Sequence, residues 1–326
     1  MAQQEYPLYE TKGMPFRRLG PSGLRVPLLS LGGWLTLGGS VTGDPVKEII
    51  QTAFENGINM FDTAEAYAKG QSEIEMCGTQ ACLERLQMNY VDVIFAHRCD
   101  CTVPMEEIVR AFNYVIEKGW AFYWGTSEWS AQEIEEAHHI ATKLNLIAPI
   151  AEQCQHSMFH RERPEKEYDA LYRKYGYGTT LWSPLASSLL TGKYNNGIPE
   201  GSRFATVDIF KTRAESLEQA EGLDKIEKVK KLTKLAESTA RLHAHRARAR
   251  GLAKNPNTST IILGVSSAAQ LLQNLEALKV LPKITAEHLA QIEEILDNKP
   301  EPFPTYSRPA LDVYSKLSRC GVQMSD

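Results

Sequence analysis

One alternation constrains this chain more than any other feature. From Leu28 to about residue 280, short apolar runs of β type take turns with longer amphipathic stretches. The runs are LLSLGGW from Leu28, INMFDTA from Ile58, VDVIFAH from Val91, AFYWGTS from Ala121, PIAEQCQ from Pro149, TTLWSPLA from Thr179 and STIILGVS from Ser259. Between them the spacing predicts helices over Pro45–Asn56, Ser72–Gln87, Pro104–Lys118, Ala131–Leu144, Arg163–Tyr175, Lys225–Ser238 and Ala268–Leu278. Asp44 before Pro45 reads as an N-cap followed by proline at the first helical position, and Ser130 with Glu133 reads as a capping box. A chain built this way forms a parallel sheet, either doubly wound or closed as a barrel. Small and polar residues gather where each run ends: Gly32-Gly33-Trp34, Asp62, His97, Ser127, Gln153, Ser183 and Gly264 to Ser266. A doubly wound dinucleotide fold would concentrate its glycines in the first turn as G-x-G-x-x-G, and that pattern is absent. Chemistry spread over every strand end fits a (β/α)₈ barrel of the TIM type. The barrel is expected over residues 16–298, between an N-terminal tail of 1–15 and a C-terminal tail of 299–326.

Composition narrows the function classes. At 326 residues, with 43% hydrophobic and 23% charged, the chain can bury a large core and is unlike a disordered polymer. A net charge of −4 gives no overall reason to bind nucleic acid or an anionic membrane. The apolar runs break well before the ~20 residues of a membrane span. The opening MAQQEYPLYETKGMP has neither a basic start nor an apolar core, so no secretory signal is read and a cytoplasmic protein is expected. Cys77, Cys82, Cys99, Cys101, Cys154 and Cys320 are scattered, which fits reduced thiols. The first four do not have the spacing of zinc knuckles, and no metal is expected.

Several segments together carry a family resemblance. RRLGPSGLRV from Arg17 and LGGW from Leu31 resemble the opening hairpin and first strand of aldo-keto reductases. FDTAEAY (Phe61–Tyr67), VDVIFAHRCD from Val91, YWGTSEWS from Tyr123, EQCQHSMF from Glu152, WSPLASSLLTGKY from Trp182 and ILGVSSAAQLLQN from Ile262 follow in the family's order. PMEEIVRAFNYVIEKGWAFYWGTSEWSAQEI, from Pro104, is similar to the branch holding the β subunits of voltage-gated potassium channels and their relatives. The resemblance implies reduction of a small aldehyde or ketone by NADPH, with Tyr67 as proton donor, Asp62 in support and His97 near the carbonyl oxygen. For the cofactor it implies Gly33, Trp34, Asp62, Ser127 and Gln153 at the nicotinamide end. Trp182, Ser183, Pro184, Leu185, Lys193, Tyr194 and Arg203 fall along the pyrophosphate, and Gly264, Ser266, Gln270, Gln273 and Asn274 at the adenosine end. The channel-subunit branch implies a homotetramer or a channel-associated subunit. Taken alone, FDTAEAY also reads as a strand entering a helix, with Asp62 as cap and Tyr67 as packing. His97 also reads as a satisfied interior histidine, and Lys193 and Arg203 as a solvated loop.

Two departures from the family follow. The resemblance implies a lysine at the end of a third strand, between the tyrosine and histidine motifs, yet the only lysine there is Lys69, two residues past Tyr67. At about Met76-Cys77-Gly78 the sequence passes from the start of one helix to the middle of a later one. One βα unit is therefore expected to be missing, and its lysine with it. The second departure is STARLHAHRARARG, Ser238 to Gly251, where Arg241, Arg246, Arg248 and Arg250 leave almost no apolar face. A solvated helix, a patch for an acidic partner, and an error in the gene sequence are its three readings.

Overall fold

The structure is a computed structural model and describes residues 9–76, 83, 88–238, 252–280 and 285–304. Among the described residues nine strands are formed: β1 Phe16–Arg18, β2 Arg25–Pro27, β3 Leu29–Gly32, β4 Phe61–Asp62, β5 Val91–His97, β6 Ala121–Ser127, β7 Ala151–Gln155, β8 Gly178–Trp182 and β9 Thr258–Leu263. β1 and β2 make an antiparallel hairpin. The other seven form one parallel sheet in the order β4-β3-β9-β8-β7-β6-β5. That order is a barrel cut open at one place. Consecutive strands neighbour one another around the ring, β3 joins β9, and the two free ends are β4 and β5, the strands on either side of the expected deletion.

One hydrogen bond shows how strongly the sheet curls. β4 and β7 stand four strand spacings apart, roughly 19 Å on a flat sheet. Yet Gln153 Nε2 on β7 donates to Asp62 Oδ1 on β4 at 3.0 Å. Only a sheet rolled back on itself lets those side chains meet across its inside.

The hairpin closes the end opposite the strand C-termini. Leu19 is fully buried there with Val26, Ile150 and Ala151, while Met60, Val93, Phe95 and Tyr123 pack on them from inside the sheet. Its turn fits so tightly that a Cβ on Gly20 would lie 2.0 Å from the Ile150 carbonyl oxygen, and Gly20 has a φ of +57°. A glycine supplies both the space and the left-handed backbone.

Helices cover the outside of the sheet near the predicted places. Met105–Glu117 and Ala131–Lys143 match closely. Ser130 forms its capping box, accepting from Glu133 N at 3.2 Å while its own N–H reaches Glu133 Oε2 at 2.7 Å. The first helix differs at its start. It runs Asp44–Glu55, with Gly43 rather than Asp44 at the N-cap and no side-chain cap, because a φ of +69° there suits glycine. The Arg163–Tyr175 helix is split into a π-helical turn, Arg163–Glu167, and an α-helix, Asp169–Tyr175. Ala220–Ser238 starts five residues before the expected Lys225. The segment 239–251, with its arginines, lies outside the described residues.

The main core lies between sheet and helices, around Leu31, Trp124, Trp129, Tyr168 and Leu181. A second core was not foreseen. Leu189, Leu190, Tyr194, Phe204 and Phe210, from the long loop after β8, pack with Val229 and Leu232 and with Ile292 and Leu296 of the helix Ala286–Leu296.

Candidate functional site

All seven strands run the same way, so their C-terminal ends share one rim. Register fixes who stands beside whom there. Gly32 pairs with Asp62, His97 with Ser127, Ser127 with Gln153, and Gln155 with Trp182, while Leu31 pairs with Leu263 just before Gly264. The candidate residues named from strand ends thus share one mouth.

Asp62 stands at the end of the edge strand β4 and meets Gln153 across the inside of the sheet. Desolvation pushes its carboxyl up to about 6, against the Gln153 hydrogen bond that holds it down. Tyr67 sits half-buried on the turn Tyr67–Gly70 that follows. Its phenol is pushed well above 10 by desolvation first and by the negative charge of Asp62 second. Among the described residues no cation acts on either group in that balance. Lys69 is in the same turn but exposed, with a φ of +56°, and it does not contribute to the titration of Tyr67. His97 is exposed at the end of β5, on the open edge.

The nicotinamide-end candidates are held by backbone bonds. Gly33 N donates to Asp62 O at 2.9 Å, and Ser127 Oγ donates to Gln153 O at 3.0 Å. Trp34 is exposed beside Phe210, ring centres 6.2 Å apart. A residue that sequence reasoning did not single out ties three strand ends together. Glu128, left-handed at φ +60°, accepts from Trp182 Nε1 at 2.9 Å and from Gln155 N at 2.6 Å, and pairs with Arg163 at 3.5 Å. Its signal was present as an acidic residue directly after the Ser127 strand end.

Two comparisons bear on this geometry. The sequence profile of the Aldo/keto reductase family matches residues 28–80 and 78–297. The chain belongs to the aldo/keto reductase family. It is 44% identical to a putative voltage-gated potassium channel subunit beta of Schizosaccharomyces pombe, over 90% of this chain and 96% of that protein. It is 40% identical to a probable voltage-gated potassium channel subunit beta of Arabidopsis thaliana, over 90% of this chain and all of that protein. The profile match breaks at residues 78–80, where the deletion was read. The first alignment spans 333 positions, more than the 326 residues of this chain, so that relative carries residues with no counterpart here.

For an aldo/keto reductase the dinucleotide is the group to test against this rim. Ser183, Ala186, Ser187 and Ser188 all have positive φ, an unusual concentration of left-handed backbone in a loop at a strand end. The N–H groups of Ala186 and Ser187 donate within the loop, to Ser183 O at 2.9 Å and Ser183 Oγ at 3.3 Å, so the loop offers its half-buried serines rather than a nest of free N–H groups. Pro184 is buried and Leu185 half-buried in the same loop. A Cβ on Gly264 would meet nothing within 4 Å, so the backbone faces open space at the other end of the path. Beyond it Ser266 donates twice to Gln270 Oε1, at 3.0 and 3.1 Å, and Gln273 is exposed and Asn274 half-buried on the helix Ala268–Val280. These features fit a phosphate-bearing dinucleotide.

Two candidates on the pyrophosphate path stand differently. Lys193 is exposed, its ammonium 4.9 Å from the centre of the Tyr194 ring. Tyr194 itself is 1% exposed and stacked on Phe204 at 4.5 Å, so it serves the second core. The side chain of Arg203 lies outside what the structure describes. Among the described residues no group of His, Cys, Asp and Glu could hold a metal ion, and no helix is long and apolar enough to cross a membrane.

Behind the rim lies a buried acid. Glu152, on the helix-facing side of β7, accepts from Thr126 Oγ1 at 2.6 Å, and Thr126 Oγ1 is 3.2 Å from Tyr177 Oη. Desolvation pushes its carboxyl up to about 8. The folded protein therefore holds a proton that the unfolded chain releases above its ordinary value of 4.5. Stability from this group is full below about 4.5 and is lost as pH rises towards about 8. Glu152→Gln is expected to raise the melting temperature at pH 8 and to change it little at pH 5. A larger gain at pH 5 than at pH 8 would contradict this.

Proposed function

We propose that this chain is an NADP(H)-binding carbonyl reductase by architecture in which proton delivery is impaired. The observation that carries the reading is the Asp62–Tyr67 pair, in which the carboxylate opposes ionisation of the phenol and no cation among the described residues favours it. When bound, the dinucleotide would supply the hydride. Gly33, Trp34, Ser127 and Gln153 would hold its nicotinamide end, the 183–188 turn with Lys193 its phosphates, and Gly264 with Ser266, Gln270, Gln273 and Asn274 the adenosine end. His97 would orient the carbonyl oxygen of a small aldehyde or ketone, and the Tyr67 hydroxyl would donate its proton there. A phenol is a poor acid at neutral pH unless its anion is stabilised, and here the Asp62 charge that acts on it has the wrong sign. Turnover of 4-nitrobenzaldehyde with NADPH tests this in the wild type and in Tyr67→Phe. A slow rate that falls by less than about tenfold in the variant is expected, against the roughly 10²–10⁴-fold that a positioned acid contributes. A loss of the full size would show Tyr67 to be a competent acid and overturn the reading.

The names of the relatives favour a second reading, a cytoplasmic NADP(H)-binding subunit that assembles with a potassium channel. It needs the cofactor site but no turnover. Quenching of protein fluorescence by NADPH together with co-purification with a channel subunit would support it, and quenching without co-purification would leave the reductase reading in place.

A further inference from the structure

The deletion leaves β5 with one side to spare. Its inner edge pairs with β6 from Val91↔Ala121 to His97↔Ser127, and among the described residues no strand pairs with the outer edge. β4, the other end of the sheet, is only two residues long. Proteins usually blunt such an edge with lysine, proline or a bulge. VDVIFAH has none of these, only Asp92. Large apolar side chains are exposed on both sides of the opening. Phe122 is 59% exposed and meets the exposed Tyr90 edge to face at 5.0 Å, while Ile74 is 57% exposed across the gap, with Phe61 and Met88 also exposed. An apolar patch beside an unblunted edge marks a contact surface.

We propose that β5 is the seam of a homodimer, two copies joining edge to edge and antiparallel about a two-fold axis at Ile94. The occupant is a second copy because this strand is complementary to itself. With Ile94 opposite the partner's Ile94, Val93 faces the partner's Phe95, Asp92 faces the partner's Ala96 and Val91 faces the partner's His97. Apolar pairs meet, and no like charges stand opposite each other. The exposed carboxylate of Asp92 comes to lie towards the partner's Arg98, which is exposed just past the strand end, and the symmetry makes this contact twice. A seven-residue strand alone buries less than the roughly 1,200–2,000 Å² of a stable interface. The Tyr90–Phe122 patch alongside supplies further apolar area. Pairing across the axis would give partners to the N–H and C=O groups of an edge that no strand among the described residues occupies.

Light scattering and a cysteine scan on the full chain test the seam and its register. The wild type is expected to run as a dimer at micromolar concentration. Oxidised Ile94→Cys should cross-link to dimer above the wild-type background, because paired Cα atoms lie about 4.5–5.5 Å apart, within reach of a disulfide. Asp92→Cys should not cross-link with itself, since the two positions fall roughly 13 Å apart along the seam, but should do so when mixed with Ala96→Cys. Asp92→Arg, at an exposed position, sets like charge against the partner's Arg98 and should give monomer with its far-ultraviolet circular dichroism unchanged. If that variant fails to fold, the cysteine scan decides alone. A larger assembly that keeps the Ile94-specific cross-link supports the seam. A wild-type monomer, equal cross-linking at Asp92 and Ile94, or a foreign peptide found on the edge in place of a second copy overturns it.

Discussion

Reduction of a reactive aromatic aldehyde by this chain is expected to run about 10²–10⁴-fold slower than by an aldo/keto reductase that carries the lysine. The argument is one of sign. A tyrosine serves as acid when its anion is stabilised, and each unit of pKa is about 1.4 kcal/mol of that stabilisation. Here desolvation and the Asp62 charge both act against the anion, and Lys69 does not counter them. An aspartate that would steady a lysine in the complete site becomes a hindrance without one. The pH profile should show it. Asp62 titrates near 6, so its charge, and with it the penalty on Tyr67, is expected to grow as pH rises through that value. Asp62→Asn keeps an acceptor for Gln153 and removes the charge. It is expected to flatten the profile and to leave the rate at pH 7 unchanged or higher. Steady-state oxidation of NADPH measures both. A rate equal to that of lysine-bearing relatives, or a tenfold loss in Asp62→Asn, would show that some other group supplies the missing charge.

The rim was legible because each apolar run ends on a small or polar residue, and parallel strands bring those ends together whatever lies between. The opening in the sheet was located by the family resemblance, which implies a further strand with its lysine between Asp62 and Val91; the alternation alone does not show it, because that interval is no shorter than its neighbours. The second core was not legible. Tyr194, Phe204 and Phe210 come from a loop without periodicity, and only the tertiary structure shows that they stack on one another. Tyr194 is the instructive case, because its motif placed it along the cofactor while packing uses its ring elsewhere. Glu128 and Glu152 were hidden for a different reason. A sequence does not show which acid faces indole and backbone donors and which faces a buried hydroxyl. The start of the first helix moved from Asp44 to Gly43 because a backbone angle outweighed a favourable side chain.

The largest stability effect is expected at Arg161, in the stretch after β7 that the sequence presents only as a charged helix start. Arg161 is 8% exposed and holds two acids at once. Its Nη2 donates to Glu165 Oε2 at 2.7 Å and to Glu293 Oε1 at 2.9 Å, and its Nη1 donates to Glu293 Oε2 at 2.8 Å and to Asn298 Oδ1 at 3.1 Å. Asn298 in turn donates to the Met158 carbonyl oxygen at 2.8 Å, and His156, 1% exposed, lies 2.9 Å from Glu165 Oε1. The cluster fastens the last helix, Ala286–Leu296, over the second core. The carboxylates of Glu165 and Glu293 keep 24% and 38% of their side-chain surface, so losing Arg161 costs less than the removal of one partner from a fully buried pair and more than the loss of an exposed one, about 2 kcal/mol. Arg161→Ala is expected to lose that much, read as a drop in the urea midpoint without a change in the secondary structure at zero denaturant. Arg161 and His156 hold the Glu165 carboxyl down to about 2, against an ordinary 4.5. Stability from that group is therefore full above about 4.5 and is lost as pH falls towards about 2, so the penalty of Arg161→Ala should shrink in acid. A penalty under about 1 kcal/mol at pH 7, the size of an exposed surface pair, would show that the last helix is held by its apolar face alone.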